Sequence, residues 1–355
     1  NTFKTVDIPL FEEPGVSAHF DDAQQVGHAN GIYLAVAASY VSGPGETESS
    51  YFAFKSTNGK VFTPVTVPVP PEVFYLQGPA VFNDAFYVYS TNAIWRSSDA
   101  ENWVKCFETE NEAHNIIGIA TNGDGILIVT VQDFSEEDYQ IKVYKANNSL
   151  PTTGDWTKTL DETQTDWHDH RQTIYGNGLF VMFFKSDGSD PSYCRTSADG
   201  VTWSAKLEIP DDPPPFEGYD PVTYTEGINF ANGLFIAKAS AGIKTSPDAV
   251  TWGNFVLSPN WTAIGEGERF YDISFLAGKW FALGVDIPTD KITARQGSAL
   301  DTWQEPMEFR LTSFLPEPYH KYFSQEAGDH QIIQTVSNGE SSATKTKSIT
   351  VETPE

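Results

Sequence analysis

The residues best suited to chemistry lie together in the segment His168-Asp169-His170-Arg171. Alternate side chains of a β-strand face the same side, so a strand here would put both imidazoles on one face. Two such histidines, with a third ligand from a neighbouring strand, could bind one metal ion. Zinc or calcium binding at His168 and His170 is therefore one hypothesis. The alternative is that a solvated channel mouth simply tolerates polar residues.

Other polar residues occupy comparable places, just before or at the start of candidate strands. If those strands line one channel, the residues meet at its mouth, where a small polar ligand would bind. The predicted ligand-binding set is His114, His168, Asp169, His170, Arg171, Asp220 and His320. We find no nucleophile elbow, phosphate-binding loop, zincin motif or dinucleotide fingerprint. No catalytic residue is predicted, and no cofactor beyond a calcium or zinc ion.

Two short signals recur along the chain and indicate the elements that carry these residues. One is a tight turn such as Gly176-Asn177-Gly178, in which Asn and Gly accept the positive φ that a short hairpin needs. The other is a turn that ends on an aromatic residue, as in Ser197 to Trp203. Both occur seven times and alternate, and the seventh tight turn is Glu326-Ala327-Gly328-Asp329. The aromatic residues are Phe3, Phe62, Trp103, Trp156, Trp203, Trp252 and Trp303.

Four short strands per repeat, without a helical period, predict an all-β fold: a seven-bladed β-propeller with four-stranded blades. A β-solenoid would need shorter and stricter periods, and a pair of sandwiches gives no reason for seven repeats. We expect one domain, 1–355, in which the N-terminal strand closes the last blade. The expected blades are 16–70, 71–112, 113–165, 166–215, 216–262, 263–315, and 316–355 completed by 1–12.

Composition limits the partners. The net charge of −26 disfavours nucleic acid, and no apolar run is long enough for a membrane helix, so we expect neither nucleic-acid binding nor membrane insertion. An aromatic content of 14% suits strands. Cys106 and Cys194, the two cysteines, fall in different repeats and are expected to be free and buried.

The turn from Ser197 to Trp203 resembles the Asp-box of sialidase-like propellers, of the divergent kind seen in phage and bacterial surface proteins. It is one residue shorter than the usual motif, and the segments at Asp99 and Asp248 are weaker copies. The resemblance implies that Ser197, Asp199 and Gly200 fix the turn. It also implies that the aromatic residues pack between blades, namely Trp103, Trp156, Trp203, Trp252 and Trp303.

This resemblance, the acidity and the missing catalytic motifs predict a non-enzymatic structural or interaction protein on a particle surface. A phage virion component, such as a tail, fibre or decoration protein, is the first expectation. Its partners would be other virion or surface proteins and host glycans, and its location the virion or an extracellular surface. A carbohydrate-binding adhesin or lectin is the alternative. A sialidase-like hydrolase ranks last, because only Arg171 and Arg269 fall on inner strands and no arginine triad is evident.

Overall fold

The structure is a computed structural model, and its strands follow from the turn signals in the sequence. It describes residues 17–19, 23–43, 46–58, 62–69, 76–111, 113–123, 125–134, 139–163, 168–186, 191–210, 225–239, 242–259, 268–276, 278–286, 291–305, 328–337 and 342–351. The chain divides into two compact units, 1–311 and 312–355. Within the described part, no helix is long and apolar enough to cross a bilayer.

Unit 1 is an all-β propeller whose described residues form six blades. Blade 1 contains β1 (Ser17–His19), β2 (Ala23–Ala29), β3 (Ile32–Gly43), β4 (Glu46–Ser56) and β5 (Thr63–Val65), and both β1 and β2 pair with β3. Blade 2 contains β6 (Gln77–Phe82), β7 (Ala85–Tyr89), β8 (Ala93–Ser97) and β9 (Val104–Glu108). Blade 3 contains β10 (His114–Thr121), β11 (Leu127–Asp133), β12 (Gln140–Ala146) and β13 (Trp156–Thr163).

The remaining three blades repeat the four-stranded antiparallel meander. Blade 4 contains β14 (His168–Gly176), β15 (Leu179–Ser186), β16 (Tyr193–Ser197) and β17 (Leu207–Glu208). Blade 5 contains β18 (Thr225–Ala231), β19 (Leu234–Ala239), β20 (Gly242–Ser246) and β21 (Val256–Leu257). Blade 6 contains β22 (Glu268–Leu276), β23 (Lys279–Asp286), β24 (Lys291–Ala299) and β25 (Thr302–Trp303).

The hydrophobic core lies between blades. Each of five apolar clusters joins two consecutive blades, and the cluster between blades 3 and 4 unites Ile128 and Val143 with Phe180 and Met182. A strand buried on both faces explains why the second strands are continuously apolar. In each cluster, one tryptophan from the later blade packs against the buried residues: Trp103, Trp156, Trp203, Trp252 and Trp303. The indole of Trp156 also donates to the carbonyl of Cys106, at 2.7 Å.

The Ser-x-Asp turns hold their shape through side-chain to backbone hydrogen bonds. Asp199 Oδ1 accepts from the amides of Val201 and Thr202, each at 2.8 Å. Ser197 Oγ accepts from the amide of Gly200 at 2.9 Å, and Gly200 has φ +69. Asp99 and Asp248 accept equivalent backbone bonds in blades 2 and 5.

Unit 2 corrects the predicted number of blades. Its described residues form a two-stranded antiparallel sheet, β26 (Gly328–Ser337) with β27 (Ser342–Val351), so the described part of the chain contains six blades and not the predicted seven. Gly328, predicted to lie in a turn, begins a strand instead. The closing strand predicted at 1–12 lies outside the described residues.

Candidate functional site

The innermost strands of neighbouring blades lie side by side and run in the same direction. Gln172 of β14 lies beside Gly227 and Ile228 of β18, and further along the same two strands Gly176 lies beside Phe230. The inner strands β10, β14, β18 and β22 therefore all begin at one end of unit 1. We call this the leading end, and it is where the sequence concentrates polar residues.

A β-bulge interrupts the innermost ladder of every blade near the leading end. In blade 4 the pairing shifts between His170 and Gln172, which leaves Arg171 as the extra residue. The corresponding shifts in the other blades lie between Ala23 and Val26, Gln77 and Ala80, Ile116 and Gly118, Thr225 and Gly227, and Phe270 and Asp272. Bulges bend a strand and re-aim side chains, and they are common beside active sites.

In blades 3 to 6, the extra residue at the bulge is of a different chemical type in each blade. The extra residue is Ile117 in β10, Arg171 in β14, Glu226 in β18 and Tyr271 in β22. Three consecutive inner strands thus carry a guanidinium, a carboxyl and a phenol at one register position. For Arg171, Glu226 and Tyr271 this is a statement about the backbone alone, since the description does not extend to their side chains.

A buried charged cluster occupies the leading end of blade 3. Lys142 Nζ donates to Asp133 Oδ2 at 2.7 Å, and His114 Nε2 lies 2.9 Å from the same oxygen and 3.1 Å from Lys142 Nζ. All three residues are more than nine-tenths buried, and His114 Nδ1 has no hydrogen-bond partner. An ion pair in an apolar interior is costly to desolvate, so its presence is weak evidence for a net gain in stability.

A second polar chain crosses from blade 4 to blade 3. His170 Nε2 and Thr173 Oγ1 are 2.9 Å apart, as are the hydroxyls of Thr173 and Thr130, and Thr130 donates to the Gly118 carbonyl at 3.3 Å. Each hydroxyl donates once, so the chain assigns the proton to His170 Nε2 and leaves Nδ1 unprotonated. Burial lowers the pKa of His170 to about 3, which keeps the ring neutral.

Aromatic and amide groups complete the described part of the leading end. Phe134, 40% exposed, follows Asp133 directly and meets Tyr139 edge-to-face, with ring centroids 5.1 Å apart. Between blades 2 and 3, the Tyr89 hydroxyl donates to Gln77 Oε1 and lies 3.5 Å from the Ile117 carbonyl. The bulge of blade 3 is therefore contacted from blade 2.

The structure brings part of the predicted ligand set together. His114 and His170 lie at the leading ends of adjacent inner strands, and the backbone of His168, Asp169 and Arg171 belongs to β14. Asp220 and His320 lie outside the described residues. No group of three described side chains could hold a metal ion, and the side chain of His168 is not among those described.

Sequence reasoning missed several residues of this end. Asp133 and Lys142 lie in strands whose sequences predict only a buried core. Their contacts with each other and with His114 in the structure place them in the polar cluster at this end. Glu226 and Tyr271 had a usable signal, because aligning the inner strands from their hairpin turns puts both at the position of Arg171. The two cysteines are free and buried, as predicted.

Comparison with known proteins finds similarity to solved structures alone. No family model matches the chain, and no curated protein does. A glycosyl hydrolase from Bacteroides ovatus is similar over 81% of this chain and 88% of that chain, with 14% identity and a TM-score of 0.39. A β-1,2-mannobiose phosphorylase from Listeria innocua is similar over 79% and 90%, with 11% identity and a TM-score of 0.39. An acylaminoacyl peptidase from Pyrococcus horikoshii is similar over 90% and 56%, with 10% identity and a TM-score of 0.44.

These findings correct the predicted function. The three similar structures are enzymes, and nothing in the comparisons indicates a phage or virion role, so the predictions of a virion component and of a non-enzyme are withdrawn. The Asp-box resemblance stays a resemblance of the turns alone. At this identity and TM-score, the similarities carry no argument about the activity of this chain, which must come from its own residues.

Proposed function

We propose that unit 1 is a carbohydrate-active enzyme that binds a saccharide at the leading end of its inner strands and cleaves a glycosidic bond there. The observation that supports this is the shared bulge register of Arg171, Glu226 and Tyr271 on three consecutive inner strands. A repeat fold has no structural need for three different reactive groups at one equivalent position. In blade 3, the same position holds Ile117.

The three residue types match the chemistry of glycoside cleavage. A glutamate serves as general acid or base, and a tyrosine paired with a glutamate serves as nucleophile in some glycosidases. An arginine binds an oxyanion through paired N–H groups. In the net reaction, water adds across the bond: the leaving oxygen gains a proton and the anomeric carbon gains a hydroxyl.

The described residues nearby suit a sugar. The exposed ring of Phe134, braced edge-to-face by Tyr139, offers an apolar face at the leading end of blade 3. Sugar rings present C–H faces that stack on such rings, and hydroxyl groups that bind neighbouring carboxylates and amides.

The test is turnover of a panel of neutral and acidic chromogenic glycosides and oligosaccharides. We expect the wild-type chain to release product, and Glu226→Gln and Tyr271→Phe each to lower kcat at least about 100-fold. Glu208→Gln, on the exposed outer strand β17, is the matched control and should leave turnover unchanged. Turnover that survives Glu226→Gln, or no product from any glycoside, would remove the proposal.

A further inference from the structure

Blade 4 departs from its own repeat around the bulge at Arg171. The second residue after the bulged one is Ile119 in β10, Ile228 in β18 and Ile273 in β22. In β14 it is Thr173. These isoleucines belong to or pack against the apolar clusters between blades. Blades 3, 5 and 6 are an internal control, and each of them has an apolar residue at this position.

The residue before the bulge is apolar in blades 3 and 6 and polar in blade 4, as it is in blade 5, which has Thr225. Ile116 and Phe270 are buried in the interblade clusters, whereas blade 4 has His170, which is equally buried. Placing polar groups in an interblade core costs free energy unless they are hydrogen-bonded. His170 Nε2 and the Thr173 hydroxyl meet that need through each other and through Thr130, and so tie β14 to blade 3 across the bulged residue.

Gln172 ties the other side of the bulge to blade 5. Its Oε1 accepts a hydrogen bond from the amide of Ile228 at 2.9 Å. Glycines in the neighbouring inner strands leave room for both ties: a Cβ at Gly118 would lie 3.2 Å from the Thr173 amide nitrogen, and one at Gly227 would lie 3.2 Å from Gln172 Oε1. Arg171 is thus the residue whose backbone is held from both neighbouring blades.

We propose that His170, Gln172 and Thr173 are positioning residues that fix Arg171 as the oxyanion-binding group of the leading end. The inference rests on the proposed function, and it assigns that site a ligand bearing an oxyanion group. A guanidinium binds such a group in a fixed two-pronged geometry, so small errors in its position weaken binding. The polar residues around the bulge act through Arg171 and do not touch the ligand.

The experiment uses inorganic sulfate as probe and follows the arginine side-chain N–H signals by NMR at constant ionic strength. We expect saturable binding that Arg171→Ala abolishes. Thr173→Val, which removes one hydroxyl at nearly constant volume, should weaken sulfate binding about tenfold, while Thr173→Ser, which keeps the hydroxyl, should retain it. Thr196→Val, in β16 of the same blade, is the matched control and should bind like wild type.

The outcomes separate this inference from the proposed function. Equal sulfate affinity in wild type and Thr173→Val would overturn the positioning role and leave the glycosidase proposal standing. Glycoside turnover without saturable sulfate binding would overturn the oxyanion role of Arg171 alone. An absence of both would remove the inference together with the function on which it rests. Sulfate binding weakened in Thr173→Val and restored in Thr173→Ser, with urea unfolding showing that Thr173→Val is folded under the binding conditions, would support it.

Discussion

The imidazole of His170 lies in surroundings that strongly change its pKa. Its ring is buried between blades 3 and 4, and burial lowers its pKa to about 3 from the ordinary value of 6.5. The folded state then resists protonation, while the unfolded state takes up a proton below about pH 6.5. Stability is therefore full above that pH and falls as the pH drops towards 3.

The first prediction compares wild type with His170→Gln. Between pH 7 and pH 5, wild type should lose about 2 kcal/mol more unfolding free energy than the variant, because each pH unit below 6.5 costs about 1.4 kcal/mol. Urea unfolding at the two pH values gives this difference. His28→Gln, at an exposed position, should keep the wild-type pH dependence. An identical slope in His170→Gln would show that the ring is not held neutral.

The second prediction concerns the stability of Lys142→Met. Lys142→Met leaves the buried carboxylate of Asp133 without its cation and should cost about 3 kcal/mol of unfolding free energy. Lys158→Met removes the solvent-exposed pair with Asp161 and should cost less than about 1 kcal/mol. Denaturant unfolding of the two variants measures both. Equal costs would mean that the cluster at His114 contributes no more than a surface pair.

Among the strands and turns, the Ser-x-Asp turns of blades 2, 4 and 5 differ in the residue that follows the aspartate. Ala100 and Ala249 adopt φ values of 59 and 57 in blades 2 and 5, and blade 4 has Gly200 at φ 69. A Cβ at Gly200 would lie 2.7 Å from Cγ2 of the fully buried Ile128. The turn itself therefore accepts alanine, and in blade 4 the neighbouring blade makes glycine necessary.

A matched pair of alanine variants separates this overlap from the backbone strain of a positive φ. Gly178→Ala, at φ +79 with open space around it, should cost only the backbone strain of about 1 kcal/mol. Gly200→Ala adds the overlap with Ile128 and should cost about 2 to 4 kcal/mol in all. Thermal and urea unfolding compare them. If Gly200→Ala costs no more than Gly178→Ala, the interface of blades 3 and 4 is looser than the distances indicate.

The hairpins show which elements the sequence could predict. Asn30, Asn177 and Asn232 adopt positive φ at the turns where Asn-Gly had indicated hairpins. The seventh turn was wrong because Ala327-Gly328-Asp329 has no Asn-Gly, whereas Asn338-Gly339 lies between the paired residues Ser337 and Ser342. A glycine next to an acid is common in this chain, so it does not by itself predict a turn.

The candidate site was less predictable than the fold, for a physical reason. His114, His170 and Arg171 were found because polar residues at strand starts were singled out, whereas Glu226 and Tyr271 emerge only when the inner strands are aligned from their hairpin turns, and the bulges themselves leave no residue signature. A bulge shifts the alternation of inward and outward residues by one, so counting along the strand gives the wrong face beyond it. Only the pairing register between β14 and β15 reveals it.

In unit 1 as a whole, we propose that a saccharide binds at the leading end, against the bulged residues of blades 4 to 6. This end differs from the opposite end, where the inner hairpins turn, and from the outer rim with its Ser-x-Asp turns. Each of these surfaces is distinct, so the location of one bound sugar distinguishes them.

The most direct measurement is a crystal structure of the chain with the tightest-binding saccharide of the glycoside panel. We predict density for the sugar at the leading end, in contact with Arg171, Glu226 or Tyr271. A sugar bound on the outer rim or at the hairpin end, with the three bulge residues untouched, would contradict the account.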